Sequence, residues 1–167
     1  MPTRDSSYWI QNLNLQAHPE GGWFKETYRS KETIDKEALP ERFPGNRNFS
    51  TAIYYLLEKG NFSALHRIKS DELWHFYDGE NLEIIEITPS GELTKHILGL
   101  DIDAGTLPQI TIPAGSWFAA RPLGSYTLAG CTVSPGFDFN DFEMASINEL
   151  TSKFPQHKVL IEKMCRG

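Results

Sequence analysis

At 167 residues with 40% hydrophobic and 12% aromatic side chains, the chain is about one domain long, can bury its own core and is too apolar for intrinsic disorder. A formal charge of −6, with basic residues scattered rather than gathered into a stripe, argues against a phosphate backbone, so nucleic acid is not an expected partner. No segment approaches the roughly 20 apolar residues of a membrane span, and the first residues lack the apolar centre of a signal peptide, so no membrane contact and a cytoplasmic location are expected. Cys131 and Cys165 lie far apart without metal-type spacing and are expected to be free thiols.

Ser6-Ser7 followed by YWIQNLNLQ reads as a capped short helix whose Trp9 and Leu13 cover one end of a barrel. His18-Pro19-Glu20-Gly21-Gly22 breaks it, because proline turns the preceding residue away from helix and the glycines allow unusual backbone angles. WFKETYRS follows as a strand, with Phe24, Glu26 and Tyr28 on one face and Trp23, Lys25 and Arg29 on the other. The pattern leaves the inward face open, so at most one of Lys25 and Glu26 meets the interior. Residues 31–49 are polar, with Pro40, Pro44 and Gly45, and are expected to form a surface loop with one helical turn. STAIYYLL over 50–57 is a strand buried on both faces.

The central stretch is GNFSALHRIKSDELWHFYDG, residues 60–79. The two-residue period puts Ala64, His66 and Ile68 on one strand face, Ser70-Asp71 makes a tight turn, and Glu72, Trp74 and Phe76 return on the buried face. An imidazole and a carboxylate inside an apolar barrel must be paired, hydrated or used, since burying them bare is expensive. His66 and Glu72 are therefore the leading pair of site residues. His75 falls on the opposite face, as a surface or interface histidine beside Tyr77.

LEIIEIT over 82–88 and the segment 93–98 form a hairpin around Pro89-Ser90-Gly91-Glu92. PQITIPAGSWFAA reads as strand, turn at Pro113-Ala114-Gly115, and strand; SYTLAGCTV over 125–133 is another strand. Phe137, Phe139 and Asp141 alternate with Asp138, Asn140 and Phe142, consistent with a final strand, and from about Ile147 the pattern becomes helical with Pro155 between two short pieces. Many short strands with frequent Gly/Pro turns and helices only at the ends predict an all-β jelly-roll barrel. The expected organisation is a single domain over 1–167, its barrel core about 20–146 and a helical appendage at 147–167.

Four runs, HPEGGWFKETYRS, HRIKSDELWHFYDG, IPAGSWFAA and GCTVSPGFDFNDFEMA, together with STAIYYLL, carry a resemblance to the cupin superfamily. Within it the chain is similar to a small single-domain bacterial and fungal group that has no assigned reaction. The resemblance implies a double-stranded β-helix, the cupin jelly roll, commonly paired as a homodimer with a pocket inside the barrel. Gly60, His66, Glu72 and Gly79 match positions of the metal-cupin pattern, but Ile68 and Phe118 stand where it places two further histidines, so neither a metal nor another cofactor is expected. The group looks most like metal-free sugar-nucleotide epimerases, and by position His66 would be their pocket base.

The leading expectation is therefore metal-independent, epimerase- or isomerase-like proton transfer on a small polar metabolite such as a carbohydrate derivative. His66 acts as base with Glu72 orienting it, and Tyr54, Trp74, Trp117, Arg121 and Phe139 contact the ligand. Asp138 and Glu143 are candidate acids at the rim, and His18, His96 and His157 are given no chemistry. Two alternatives stand beside this reading: a ligand-binding barrel without catalysis, and a metal-dependent cupin with an unexpected third ligand. No phosphate-cradling loop, dinucleotide fingerprint or nucleophile elbow is present.

Overall fold

The computed structural model describes residues 4–166. In chain order its elements are α1 (Ser6–Leu13), β1 (Gln16–Ala17), β2 (Trp23–Arg29), β3 (Thr33–Ile34), β4 (Arg47–Asn48), β5 (Thr51–Glu58), β6 (Ser63–Arg67), β7 (Asp71–Gly79), β8 (Leu82–Ile87), β9 (Leu93–Leu98), β10 (Gln109–Ile112), β11 (Trp117–Pro122), β12 (Tyr126–Ser134), β13 (Glu143–Met144), α2 (Ile147–Lys153) and α3 (Lys158–Met164). One sheet runs β1-β2-β5-β12-β7-β10 and the other β13-β6-β11-β8-β9, with β3 and β4 as a small separate ribbon. All pairings between the named strands are antiparallel. This is the expected jelly roll.

The two sheets close on an apolar interior. Tyr55, Leu57, Trp74, Ile110, Ile112 and Ala129 from the first sheet meet Leu82, Ile84, Leu98, Phe118 and Ala120 from the second. Alternation then sends every second residue outward, and both outer faces are covered too. Helix α1 lays Trp9, Ile10 and Leu13 over Leu56 and Leu128, and the C-terminal helices lay Leu150, Phe154, Ile161 and Met164 over Leu65, Ile85, Ile87 and Trp117. Two-sided cover is why β5 reads as a continuous apolar run rather than an alternating one.

Several local expectations change. Asp5 rather than a serine caps α1, accepting from the Tyr8 N–H at 2.9 Å, while Ser6 donates to Glu58 at 2.7 Å. The turn at Ser70 carries the chain from one sheet to the other, so His66 on β6 and Glu72 on β7 face each other from opposite walls instead of sharing a hairpin. The loop 31–49 contains the β3–β4 ribbon and buries Phe43 completely. The run expected as a final strand is mostly a 3-10 turn, Phe139–Asp141, leaving only the two residues of β13 to pair with β6.

Candidate functional site

A cavity of about 300 Å³ opens at one end of the barrel. Its walls come from the 18–29 segment, the inward faces of β5, β6, β7 and β12, and the segment 137–142, which closes over it as a flap. Gly21 and Gly22 make the first wall possible: φ is +111° and +76°, a side chain at Gly21 would run into the Phe62 carbonyl, and one at Gly22 would lie 2.7 Å from the Leu56 carbonyl oxygen. The glycines let the chain enter close against β5 and β6 and turn Glu20 into the barrel.

Glu20 is the polar centre of the cavity. Its Oε2 lies 3.1 Å from His66 Nε2, and its Oε1 accepts from the Ser63 hydroxyl at 2.9 Å. His66 Nδ1 is 2.7 Å from the Ala64 carbonyl, which can only accept, so Nδ1 carries hydrogen. With hydrogen on Nδ1, Nε2 keeps its lone pair, and Glu20 lies close beside it without the alignment of a hydrogen bond. The imidazole ring is fixed by Phe118 and Phe142, with centroids 4.1 and 5.3 Å away. On the other side, His18 Nδ1 accepts from the Glu20 N–H at 3.2 Å and sits 3.7 Å from Glu20 Oε2. Burial pushes the His18 imidazole down against the opposing pull of Glu20, which keeps it neutral with hydrogen on Nε2.

Glu72 faces this pair from β7. It is 8% exposed, forms no hydrogen bond to nitrogen or oxygen of the described residues, and lies beside the Cys131 thiol. Burial first, then the charge of Glu20, raises its pKa from 4.5 to about 8, so the carboxyl is neutral at physiological pH. The same burial, with Glu72 alongside, pushes the Cys131 thiol well up and keeps it protonated. Linkage makes this visible: between 4.5 and about 8 the folded chain holds a proton that the unfolded chain has lost, so stability falls as pH rises through that window. The expected slope from this group is about −1.4 kcal/mol per pH unit. Urea denaturation from pH 5 to 9 measures it, and a Glu72→Gln profile of unchanged slope would refute the assignment.

The mouth is built by an irregularity in β2. Pairing with β5 shifts between Glu26 and Tyr28, so Glu26 opposes Ile53, Tyr28 opposes Ala52 and Arg29 opposes Thr51. The extra residue brings Glu26 and Arg29 to the same face, whereas simple alternation separates them. Arg29 grips Glu26 with two hydrogen bonds of 3.0 and 2.7 Å and donates to Asn48 at 2.8 Å and to the Phe137 carbonyl at 3.0 Å. The last contact ties the mouth to the flap. Behind it, Arg47 and Asp141 form a buried two-point ion pair, both bonds 2.6 Å, that anchors the flap to the 31–49 segment.

The expected site residues fall on both sides of this geometry. His66, Glu72 and Phe139 line the cavity, and so does Asp138. Glu72 does not orient His66; Glu20 does, because the turn at Ser70 puts Glu72 on the facing sheet. Trp74 points inward but is sealed in the core against Tyr55 and Phe118, its Nε1 without a hydrogen-bond partner among the described residues. Tyr54 and Trp117 face outward under the terminal helices, with Arg67 stacked 4.5 Å over Trp117, and Arg121 is held outside by Glu83 at 2.6 Å. Period two from Trp117 was sound, but it follows the outer face.

Glu143 pairs with Arg67 away from the cavity, and His75 points away from it towards Thr132 at 3.1 Å. Cys131 and Cys165 are free and buried. His18 and Glu20 are site residues to which the sequence assigned no chemistry; their spacing of two ahead of a glycine pair was the available signal.

The donor set does not suit a metal ion of the cupin kind. Ile68 lines the cavity and Phe118 stacks on His66 where that pattern calls for ligands, and no group of three His, Cys, Asp or Glu among the described residues is arranged to hold one. No step below passes through a metal.

A two-sheet antiparallel barrel whose polar groups converge on one open-ended cavity is a cupin. Residues 7–145 match the family described as Cupin superfamily (DUF985), and the chain belongs to it. A crystal structure of a Shewanella oneidensis protein is 39% identical, with a TM-score of 0.88 over 98% of this chain and 99% of that one. A hypothetical protein from Leishmania major is 31% identical, with a TM-score of 0.89 over 98% and 100% of the two chains. An uncharacterized protein of Saccharomyces cerevisiae is 31% identical over 142 residues, 79% of this chain and 71% of its own. No helix among the described residues is long and apolar enough to cross a membrane.

Proposed function

We propose that the chain binds a small polar metabolite of carbohydrate type in this cavity and moves a proton on it without a metal, in the manner of an epimerase or isomerase. One observation carries the reading. Two buried carboxyl groups stand on facing walls in different company: Glu20 lies 3.1 Å from His66 Nε2 and accepts from the Ser63 hydroxyl, while Glu72 has no nitrogen or oxygen partner among the described residues and is neutral up to a pH of about 8. Environments that push two like groups apart are how an acid and a base coexist at one pH. A proton on carbon beside a ligand carbonyl passes to the lone pair of His66 Nε2, its electrons moving into an enolate, the Glu20 carboxylate answers the charge formed on the ring, and Glu72 returns a proton from the other wall. His18 Nε2–H and the Arg29 rim orient the ligand.

The test is deuterium exchange in D2O, followed by NMR, with free keto-deoxysugars and simpler keto-sugars as probes. Loss of the proton signal next to the carbonyl is expected for the wild type, slowed about 100-fold or more in His66→Asn. Exchange that is absent in the wild type, or equally fast in the variant, would reject the mechanism.

A second reading, a barrel that binds without turnover, draws on the Glu20 oxygen 3.1 Å from His66 Nε2, which crowds the one ring nitrogen able to take a proton. It predicts a ligand recovered unchanged.

A further inference from the structure

We propose that the molecule taken up by this cavity carries a positively charged nitrogen: a small organic ammonium ion, paired with the Glu72 carboxylate and packed on phenylalanine rings. This rests on reading the cavity as a ligand site, and not on the proton transfer assigned to it.

Charge comes first. Glu20, Glu26, Glu72 and Asp138 line the cavity, against one guanidinium, Arg29. Four of its five N–H donors are taken, two by Glu26 and one each by Asn48 and the Phe137 carbonyl, and its charge is already paired with Glu26. His66 is committed to Glu20 and the Ala64 carbonyl, and burial holds His18 neutral. A phosphate or carboxylate entering here meets acids on several sides and no unpaired cation, which makes anionic ligands the poorest fit.

Glu72 then indicates what does fit. A carboxyl group more than nine-tenths buried, lining a cavity and without a nitrogen or oxygen partner, is costly unless something supplies the missing interaction. A neutral hydroxyl would supply a hydrogen bond and leave the acid protonated. An ammonium supplies charge as well: Glu72 gives its proton to solvent, and the resulting pair sits where water does not screen it. Glu72 is held protonated until such a cation arrives, its pKa raised to about 8 by burial and by Glu20. Glu20, paired with His66, remains as it is, and the Cys131 thiol beside Glu72 stays neutral.

The remaining walls agree with this class. Phe24, Phe137 and Phe142 line the same space, and aromatic faces attract a cation more strongly once it is desolvated. Carboxyl and aromatic groups on one cavity wall recognise amines in a way that neither does alone.

Two matched series test it by isothermal titration calorimetry on the full chain at pH 7.5: glucosamine, glucose and glucuronate, and benzylamine, benzyl alcohol and benzoate. In at least one series the amine should bind about tenfold or more tightly than its neutral partner, with the carboxylate weakest. Binding should release a proton, seen as a heat that depends on the buffer. Glu72→Gln, close in shape to the neutral acid and so expected to fold, should remove the amine preference and the proton release.

An amine preference that persists in Glu72→Gln, a neutral or carboxylate member binding as tightly as its amine in both series, or failure of both amines to bind at tens of millimolar would each overturn the inference. A neutral preference would do so with the cavity still a ligand site. Amine binding without deuterium exchange would uphold it while ending the proton-transfer reading.

Discussion

Glu20→Ala is expected to lower the unfolding free energy by about 3–5 kcal/mol, the cost of removing one partner from a buried polar pair. The reason is the company Glu20 keeps: His66 at 3.1 Å, the Ser63 hydroxyl at 2.9 Å, and 6% exposure, so little water can replace the lost carboxylate. Glu20→Gln separates structure from chemistry. It keeps the volume and the Ser63 contact but carries no charge to answer a cation forming on His66, so it should retain more of the stability while losing deuterium exchange by about 10²–10⁴-fold. Urea denaturation reads the first effect and NMR exchange the second. If Glu20→Ala costs under about 1 kcal/mol, the contact with His66 is not the anchor described above.

Arg47→Ala should be as damaging, again by about 3–5 kcal/mol, although Arg47 touches nothing in the cavity. Its guanidinium meets both Asp141 oxygens at 2.6 Å and also the Asn46 carbonyl at 2.6 Å, with both charged side chains about 4% exposed. Removing Arg47 strands Asp141 in the 3-10 turn of the flap. Replacing both partners with apolar residues of similar size, Arg47→Met with Asp141→Leu, removes the stranded charge and should recover most of the loss. Denaturation midpoints of the two single variants and the double variant decide it; additive losses would mean the residues act independently.

The barrel was legible because its evidence is local and repeated. Alternation in 63–67 and 93–98, the Pro-Ser-Gly-Glu hairpin and the apolar run of 50–57 each mark a strand without knowledge of its partner. His66 was legible too, since an inward histidine on such a strand needs an explanation. The partner of His66 was not, because that depends on which sheet the chain joins after Ser70, and a tight turn looks the same whether it closes a hairpin or crosses a barrel. Glu26 and Arg29 were misassigned for a similar reason: period two holds only until a bulge shifts it, and nothing in WFKETYRS marks the shift. Trp117 and Arg121 show the limit of burial as a guide, for a strand covered on both sides has two faces that read as interior.

The flap has a consequence for how members of this family come to differ. Phe137, Asp138, Phe139 and Phe142 reach the cavity from a stretch that contributes no ladder of its own before β13, whereas His66, Glu20 and Glu72 are set by the barrel and its glycine corner. The mouth and the buried polar centre therefore lie on separate lengths of chain, joined through the Arg47 anchor and the Arg29 rim. Substitutions between 137 and 142 can reshape the mouth without disturbing His66, Glu20 and Glu72.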